Sequence, residues 1–283
     1  QGNRDYEYSQ HKNAEVKRIA IVGSSVAFGF NLELEDTFGK QLEILLNEKS
    51  AGIEYEVLLF GRPGFKVKET YAYIKDEILN YDPDLVIYSF VQNNYAEQSP
   101  GEFFSRQDNF IKSQENSDNI PDSLLGKIRK EWRGIREHDT IRFIRRNFHL
   151  YLFATNSVVP VLRDLSPIEK EKAQNIAPLY SDTPEFKQKE SNTEAWISLM
   201  RQECKDKNIR FAILMHPYEM QLTQDGAEEW ITAGIAVPDD VLALKTHLIM
   251  EAFSLENNIN FINIIPALRT CAGNNNLFIE GDY

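Results

Sequence analysis

Arg18–Gly29 reads RIAIVGSSVAFG, a short apolar run that stops at a glycine and two serines. A run of this length, rich in β-branched residues, fits a strand covered on both faces. Gly23 permits a sharp exit from it, and Ser24 and Ser25 suit the cap of a following helix. A serine left at the carboxyl end of a strand stands where open α/β sheets gather their ligands.

The same pattern recurs downstream. Asp36–Thr37 marks a helix start, and Phe38, Leu42, Leu45 and Leu46 recur at helical spacing to about Glu48. Tyr55–Phe60 is a second strand, leaving into Gly61-Arg62-Pro63-Gly64. A second helix carries Val67, Tyr71, Ile74, Ile78 and Leu79 on one face and stops before Asp82-Pro83. Leu85–Phe90 is a third strand, leading into Val91-Gln92-Asn93-Asn94. This βαβαβ order predicts a parallel sheet with helices on both faces and right-handed crossovers.

Residues 95–192 interrupt the pattern with polar sequence and no clear buried strand. It resumes with a helix near Thr193–Lys207 and a fourth strand, Arg210–Met215, ending in His216-Pro217. A helix near Pro238–Leu255, a fifth strand Asn260–Ile265, Pro266 and a loop at Ala272–Asn276 follow. Residues 1–17 read as a polar arm on the surface. The sheet is completed on both sides of the interruption. The expectation is therefore one domain, 1–283, with a mostly helical insertion at 95–192 between strands three and four.

A chain of 283 residues suits one large domain carrying an insertion. Net charge of −12 and a pI near 5.0 argue against a general nucleic-acid binder, and no partner of that kind is expected. No apolar run reaches the roughly 18 residues of a membrane span. Cys204 and Cys271 read as two apolar thiols, with a single bridge between them left open. No histidine or cysteine pair has metal-ligand spacing, so neither metal nor cofactor is expected.

Within the insertion, Lys127, Arg129, Lys130, Arg133, Arg136, Arg142, Arg145 and Arg146 accompany apolar residues at helical spacing. The plainer reading is a pair of amphipathic helices with solvated basic faces. The sharper one is a cap over the sheet edge whose arginines meet an anionic glycan or a membrane surface.

All strands of a parallel sheet leave at one edge. Ser25, Gly64, Asn93 and His216 therefore follow strands one to four along a common rim, and Asp282 lies past strand five. That set suits acyl transfer. Ser25 Oγ attacks a carbonyl, while the N–H groups of Ser25 and Gly64 and the side-chain amide of Asn93 hold the oxyanion. Losing one such donor typically costs about 10²–10³ in rate. Each residue also has a plainer reading: Ser24 and Ser25 as a helix cap, Gly64 as a turn glycine, Asn93-Asn94 as an Asx-turn. His216 reads as a structural or substrate-contacting residue rather than the base, with Asn94 a second candidate for substrate contact.

These residues resemble the SGNH/GDSL hydrolases, serine esterases and lipases on a flavodoxin-like three-layer sandwich with a five-stranded parallel sheet. Gly23-Ser24-Ser25 with Gly29 fits the family's Gly-Asp-Ser block, which picks Ser25 as nucleophile. Gly64 matches the glycine of the second block, Asn93 the asparagine of the third, and Asp282 the aspartate of the last. Ser24 stands where the family has Asp, and Val91 where it has Gly. The family histidine falls two residues beyond Tyr283. The resemblance covers 18–94 and 193–283, not the insertion. It implies an ester hydrolase removing an acyl group, acetyl among the candidates, from a small-molecule or glycan ester. An O-acyltransferase on the same residues is the alternative, as is a non-catalytic binding module where the histidine is missing. The polar stretch Gly2–Glu7 resembles the lead-in that follows a membrane anchor, which points to an extracytoplasmic, membrane-proximal placement.

Overall fold

The structure, a computed structural model, describes residues 4–50, 52–105, 182–232 and 237–272. The chain divides into two units, 1–101 with 175–283, and 102–174. All elements discussed below lie in the first. The basic helices expected at 127–148 and the Asp282 position fall outside the described residues.

Five parallel strands form one sheet in the order β2-β1-β3-β4-β5. They are β1 Val16–Gly23, β2 Glu54–Gly61, β3 Leu85–Val91, β4 Arg210–His216 and β5 Asn260–Ile262. Register runs from Val16↔Glu54 to Gly23↔Gly61 on one side of β1, and from Ile19↔Leu85 to Gly23↔Ser89 on the other. β4 continues the sheet from β3, with Val91↔His216 as the last pair. This is the flavodoxin-type strand order, and its direction reverses between β1 and β3.

The helices follow from sequence as directly as the strands. α2, Phe38–Lys49, starts where Thr37 Oγ1 accepts from Lys40 N. Leu42 and Leu46 of α2 pack with Phe38 against a core of Ile21, Val57, Leu59, Ile87, Ala212 and Leu214. On the other face, α3 (Val67–Asp76) buries Val67, Tyr71 and Ile74, and α4 (Pro184–Asp206) buries Trp196, Ile197 and Met200. The central strands are buried along nearly their whole length, as their continuous apolar runs require.

Four expectations are corrected. β1 begins at Val16, so the arm is shorter than 1–17. α4 begins at Pro184, capped by Thr183 Oγ1 accepting from Phe186 N at 3.2 Å, well before the expected start at Thr193. The helix expected over 238–255 is a single 3-10 turn, Val241–Ala243, then left-handed Leu244, then α6, Lys245–Glu256. β5 stops at Ile262, short of the expected Ile265, and a helix, α7, Ile265–Ala272, runs from that expected strand end through Pro266 to the first residue of the expected loop. Proline is compatible with a first helical turn, whose N–H groups have no intrahelical partner. A further helix, α5, spans Gln224–Thr232. Cys204 is buried and Cys271 exposed, and both are free thiols, so the reading of two buried thiols holds for one. No helix among the described residues is long and apolar enough to cross a membrane.

β2 is an edge strand, yet its outward-facing backbone groups find partners. Tyr55 N donates to Asn47 Oδ1 and Tyr55 O accepts from Asn47 Nδ2, at 2.8 and 2.9 Å. Val57 N donates to Glu43 Oε2 and Val57 O accepts from Lys40 Nζ. Leu59 N donates to Asp5 Oδ2 at 2.6 Å. Side chains of α2 and the arm thus stand in for a sixth strand and close an edge that would otherwise template pairing with another chain. Lys40 is the hub. It pairs with Asp5 at 2.7 Å, each side chain 4% exposed, and lies over the rings of Tyr6 and Tyr8. The arm is therefore packed against the body, not lying free on its surface.

Candidate active site

Ser25 opens α1, the single helical turn Ser25–Phe28 that follows β1, and it is half-buried. Ser24 precedes it, 5% exposed, and makes no side-chain capping bond, so the cap reading of that serine finds no support in its geometry. The turn sits directly on the end of β2. A Cβ added to Gly61 would lie 2.1 Å from Phe28 N and 2.4 Å from Ala27 C, so no other residue fits beneath α1 without moving it. Arg62 N donates to Gly23 O at 2.9 Å, tying the exit of β2 to the exit of β1.

Gly64 lies two residues further on, exposed, at φ +84, a conformation L side chains rarely adopt. Nothing lies within 4 Å of where its Cβ would be, so the conformation and not crowding calls for glycine here. Asn93 is the middle residue of a 3-10 turn, Gln92–Asn94, that ends β3. Its side chain lies outside the described residues. Asn94 is buried, 2% exposed, and its Nδ2 has no hydrogen-bond partner in the protein. The three strands β2, β1 and β3 are neighbours whose last pairs meet at Gly23. Gly64, Ser25 and Asn93 therefore come off adjacent strand ends at one edge, beside the switch point.

His216 ends β4, one strand further along. Its Nε2 is 2.8 Å from Ser89 Oγ, and Phe38 meets its ring edge-on at 5.6 Å. Burial, with His247 nearby, holds its pKa down to about 4, so it is neutral at physiological pH. Ser89 is the link sequence reasoning missed. It is fully buried in β3, beside Gly23 on one side and bonded to His216 on the other. Its signal was available, as the one hydroxyl with an aliphatic carrier in the run LVIYSFV. Behind His216, Gln92 donates to Gln221 Oε1 and accepts from Thr246 Oγ1 at 3.0 Å. His247, 4% exposed, adjoins them. Burial pushes its pKa down to about 4; the Met215 backbone opposes that shift and the Arg269 charge adds to it. The Met215 backbone lies outside bonding geometry, and neither ring nitrogen has a protein partner.

A cleft of about 340 Å³ opens beside this edge, lined by Lys66–Glu69 after Gly64 and by Tyr95–Gln98 after Asn93, with Trp196 behind. Among the described residues, no group of three or more His, Cys, Asp or Glu is placed to hold a metal ion.

No protein-family model matches the chain, and no curated protein matches it. Solved structures do. The chain is similar to AlinE4, an SGNH-hydrolase family esterase, at 13% identity and a TM-score of 0.45, over 96% of this chain and 87% of that one. It is similar to TesA at 10% identity and a TM-score of 0.43, over 94% and 87%. It is also similar to the acetyl xylan esterase AlAXEase, at 12% identity and a TM-score of 0.43, over 91% and 82%.

Proposed function

We propose that the chain is a serine carboxylic ester hydrolase whose nucleophile is Ser25. The observation that carries this reading is the position of Ser25: half-exposed at the second residue after β1, at the switch point, between the positive-φ glycine that follows β2 and the turn that ends β3. Coming off neighbouring strand ends of an open α/β sheet, these groups are of the kinds that acyl transfer needs.

Ser25 Oγ attacks the acyl carbon as its proton passes to the base. The carbonyl oxygen becomes an alkoxide held by the N–H groups of Ser25 and Gly64 and by the Asn93 amide. The ester C–O bond then breaks, and the alcohol leaves with the proton. Water attacks the acyl-enzyme in turn, and releases the carboxylic acid and free Ser25. By the resemblance, the base is a histidine oriented by Asp282. His216 fits that role poorly, because its Nε2 is already engaged by Ser89. It holds the strand end, or contacts substrate.

The cleft supports a compact acyl group on a polar alcohol, an acetylated sugar, over a long-chain lipid. It mixes Lys66, Lys68, Glu69 and Gln98 with Tyr95 and Trp196, and polar groups beside aromatic rings suit sugar hydroxyls and a sugar face better than an acyl chain. A fluorophosphonate probe tests the reading. Labelling of the protein that disappears in Ser25→Ala is expected; equal labelling, or none in either, rejects it. Hydrolysis of an acetylated sugar ahead of a long-chain ester would support the substrate class.

A further inference from the structure

We propose that Arg4 of the N-terminal arm is a positioning residue for the Ser25 site that holds the serine turn; this rests on reading Ser25 as the nucleophile. A four-residue helix has little internal cohesion. Its nucleus costs more order than its own bonds return. α1 has Phe28 N donating to Ser24 O and Phe30 N to Ser25 O, at 3.1 and 3.2 Å, then reverses at Gly29 with φ +68. What keeps Ser25 in place must therefore come from outside the turn.

Three contacts supply it. Gly61 supports the turn from below, and the Thr37 methyl closes on Gly29 from the side. Arg4 closes the remaining direction. Its Nη1 donates to Gly29 O, its Nη2 to Leu32 O, and its guanidinium stacks 5.5 Å from the Phe28 ring centroid. One planar fork thus grips the two carbonyls that follow the turn and the aromatic ring within it. A lysine cannot reproduce that geometry. The next residue fixes the arm in turn, since Asp5 bonds Leu59 N and pairs with Lys40. A cleft of about 430 Å³ lies between Asp5–Tyr8 and Leu58–Phe60, so the arm meets the edge through these side chains and not as an added strand. The grip of Arg4 on the turn therefore depends on side-chain clips, the nearest at Asp5 and others at Tyr8 and Ser9, not on a continuous ladder.

The position of Ser25 matters steeply, since a misplacement of about 1 Å in a reacting group can cost around 10²-fold. Arg4→Ala is expected to lower kcat on a p-nitrophenyl acetate substrate about tenfold with KM within about twofold, and Arg4→Lys to restore little of it. Tyr6→Phe, which loses only the exposed bond to Glu35, should leave kcat unchanged. Native-state hydrogen exchange supplies the readout that needs no activity: the amides of Phe28 and Phe30 should exchange at least about tenfold faster in Arg4→Ala, with those of β3 unchanged. Wild-type kcat and unchanged exchange in Arg4→Ala would overturn the proposal while leaving Ser25 untouched. If Ser25→Ala labels like wild type, the reading of Ser25 falls, and exchange alone decides whether Arg4 holds the turn.

Discussion

The free flank of β2 and the carboxyl rim of β3 and β4 treat buried polar groups in opposite ways. Along the flank, the outward N–H groups of Tyr55, Val57 and Leu59 each meet a side-chain oxygen, and Lys40 gathers Asp5, Glu43 and two aromatic rings. Along the rim, Asn94 Nδ2, Tyr95 Oη, Gln221 Nε2 and both nitrogens of His247 are buried without a protein partner. An unmet buried polar group costs about 1–3 kcal/mol. The flank closes its polar groups on one another; the rim leaves several without a protein partner. Variants on the flank should therefore change stability, and variants on the rim should change rate.

The largest effect belongs to the rim. Ser25→Ala is expected to remove at least about 10³ of kcat in an ester-hydrolysis assay while the melting temperature stays near wild type. The flank answers with the opposite signature. Lys40→Met strands Asp5 and Glu43 in a half-dry pocket and is expected to cost about 3–5 kcal/mol in denaturant unfolding, with kcat per folded molecule falling by less than in Arg4→Ala because Asp5 keeps its bond to Leu59 N. A Lys40 variant that kept its stability, or a Ser25 variant that lost it, would break the division.

Gly61→Ala sharpens the boundary between the two regions. Its new methyl would meet the backbone of Phe28 and Ala27, so strain of about 1–3 kcal/mol is expected with a loss of rate in the surviving fold. This position should be one of the few where both readouts move together. Unchanged kcat in a folded Gly61→Ala would show that the seat of α1 on β2 does not govern Ser25.

The contrast also explains what the sequence discloses. β1, β2 and β3 stand out because their burial on both faces leaves almost continuous apolar runs, and the switch point follows from their order. Ser25, Gly64 and Asn93 are legible for the same reason: each comes straight off a strand end. The first turns of α4 are not, because residues such as Lys187 and Ser191 are polar and solvent-facing, so the helical period appears only from Asn192 and Thr193 onward. α7 hides behind Pro266, which reads as a stop but sits in a first turn. The arm hides most completely. Asp5 finds Leu59 N at a separation of 54 residues, and no local pattern encodes a partner that distant. The contact between Ser89 and His216, 127 residues apart, is lost to sequence in the same way, although each residue is visible in its own strand.

The smallest effect tests the rim by pH. His247 and His216 have folded pKa values near 4, below the usual 6.5 for the imidazole. Between those values the unfolded chain binds protons that the folded chain refuses. The stability their neutral forms allow is thus complete above about pH 6.5 and lost as pH falls through about 4. His247→Leu removes one of the two titrating rings and two buried polar atoms that lack partners. Leucine is apolar and close in volume, so the variant should match or exceed wild-type stability at pH 7. Between pH 6 and 5 its stability should fall less steeply than that of wild type, because one refused proton is gone while that at His216 remains. At the amino ends of β1 and β3, Asp84 behaves in its own window. Burial raises its pKa, but the Lys12, Arg18 N–H and Lys17 contacts outweigh that and leave it below 3.8, so its contribution is lost only in stronger acid. Urea melts of wild type and His247→Leu at pH 7, 6 and 5 separate the two windows. A wild-type slope in His247→Leu would mean that the buried ring at the rim is already protonated or already paired, and the opposition between rim and flank would lose its clearest case.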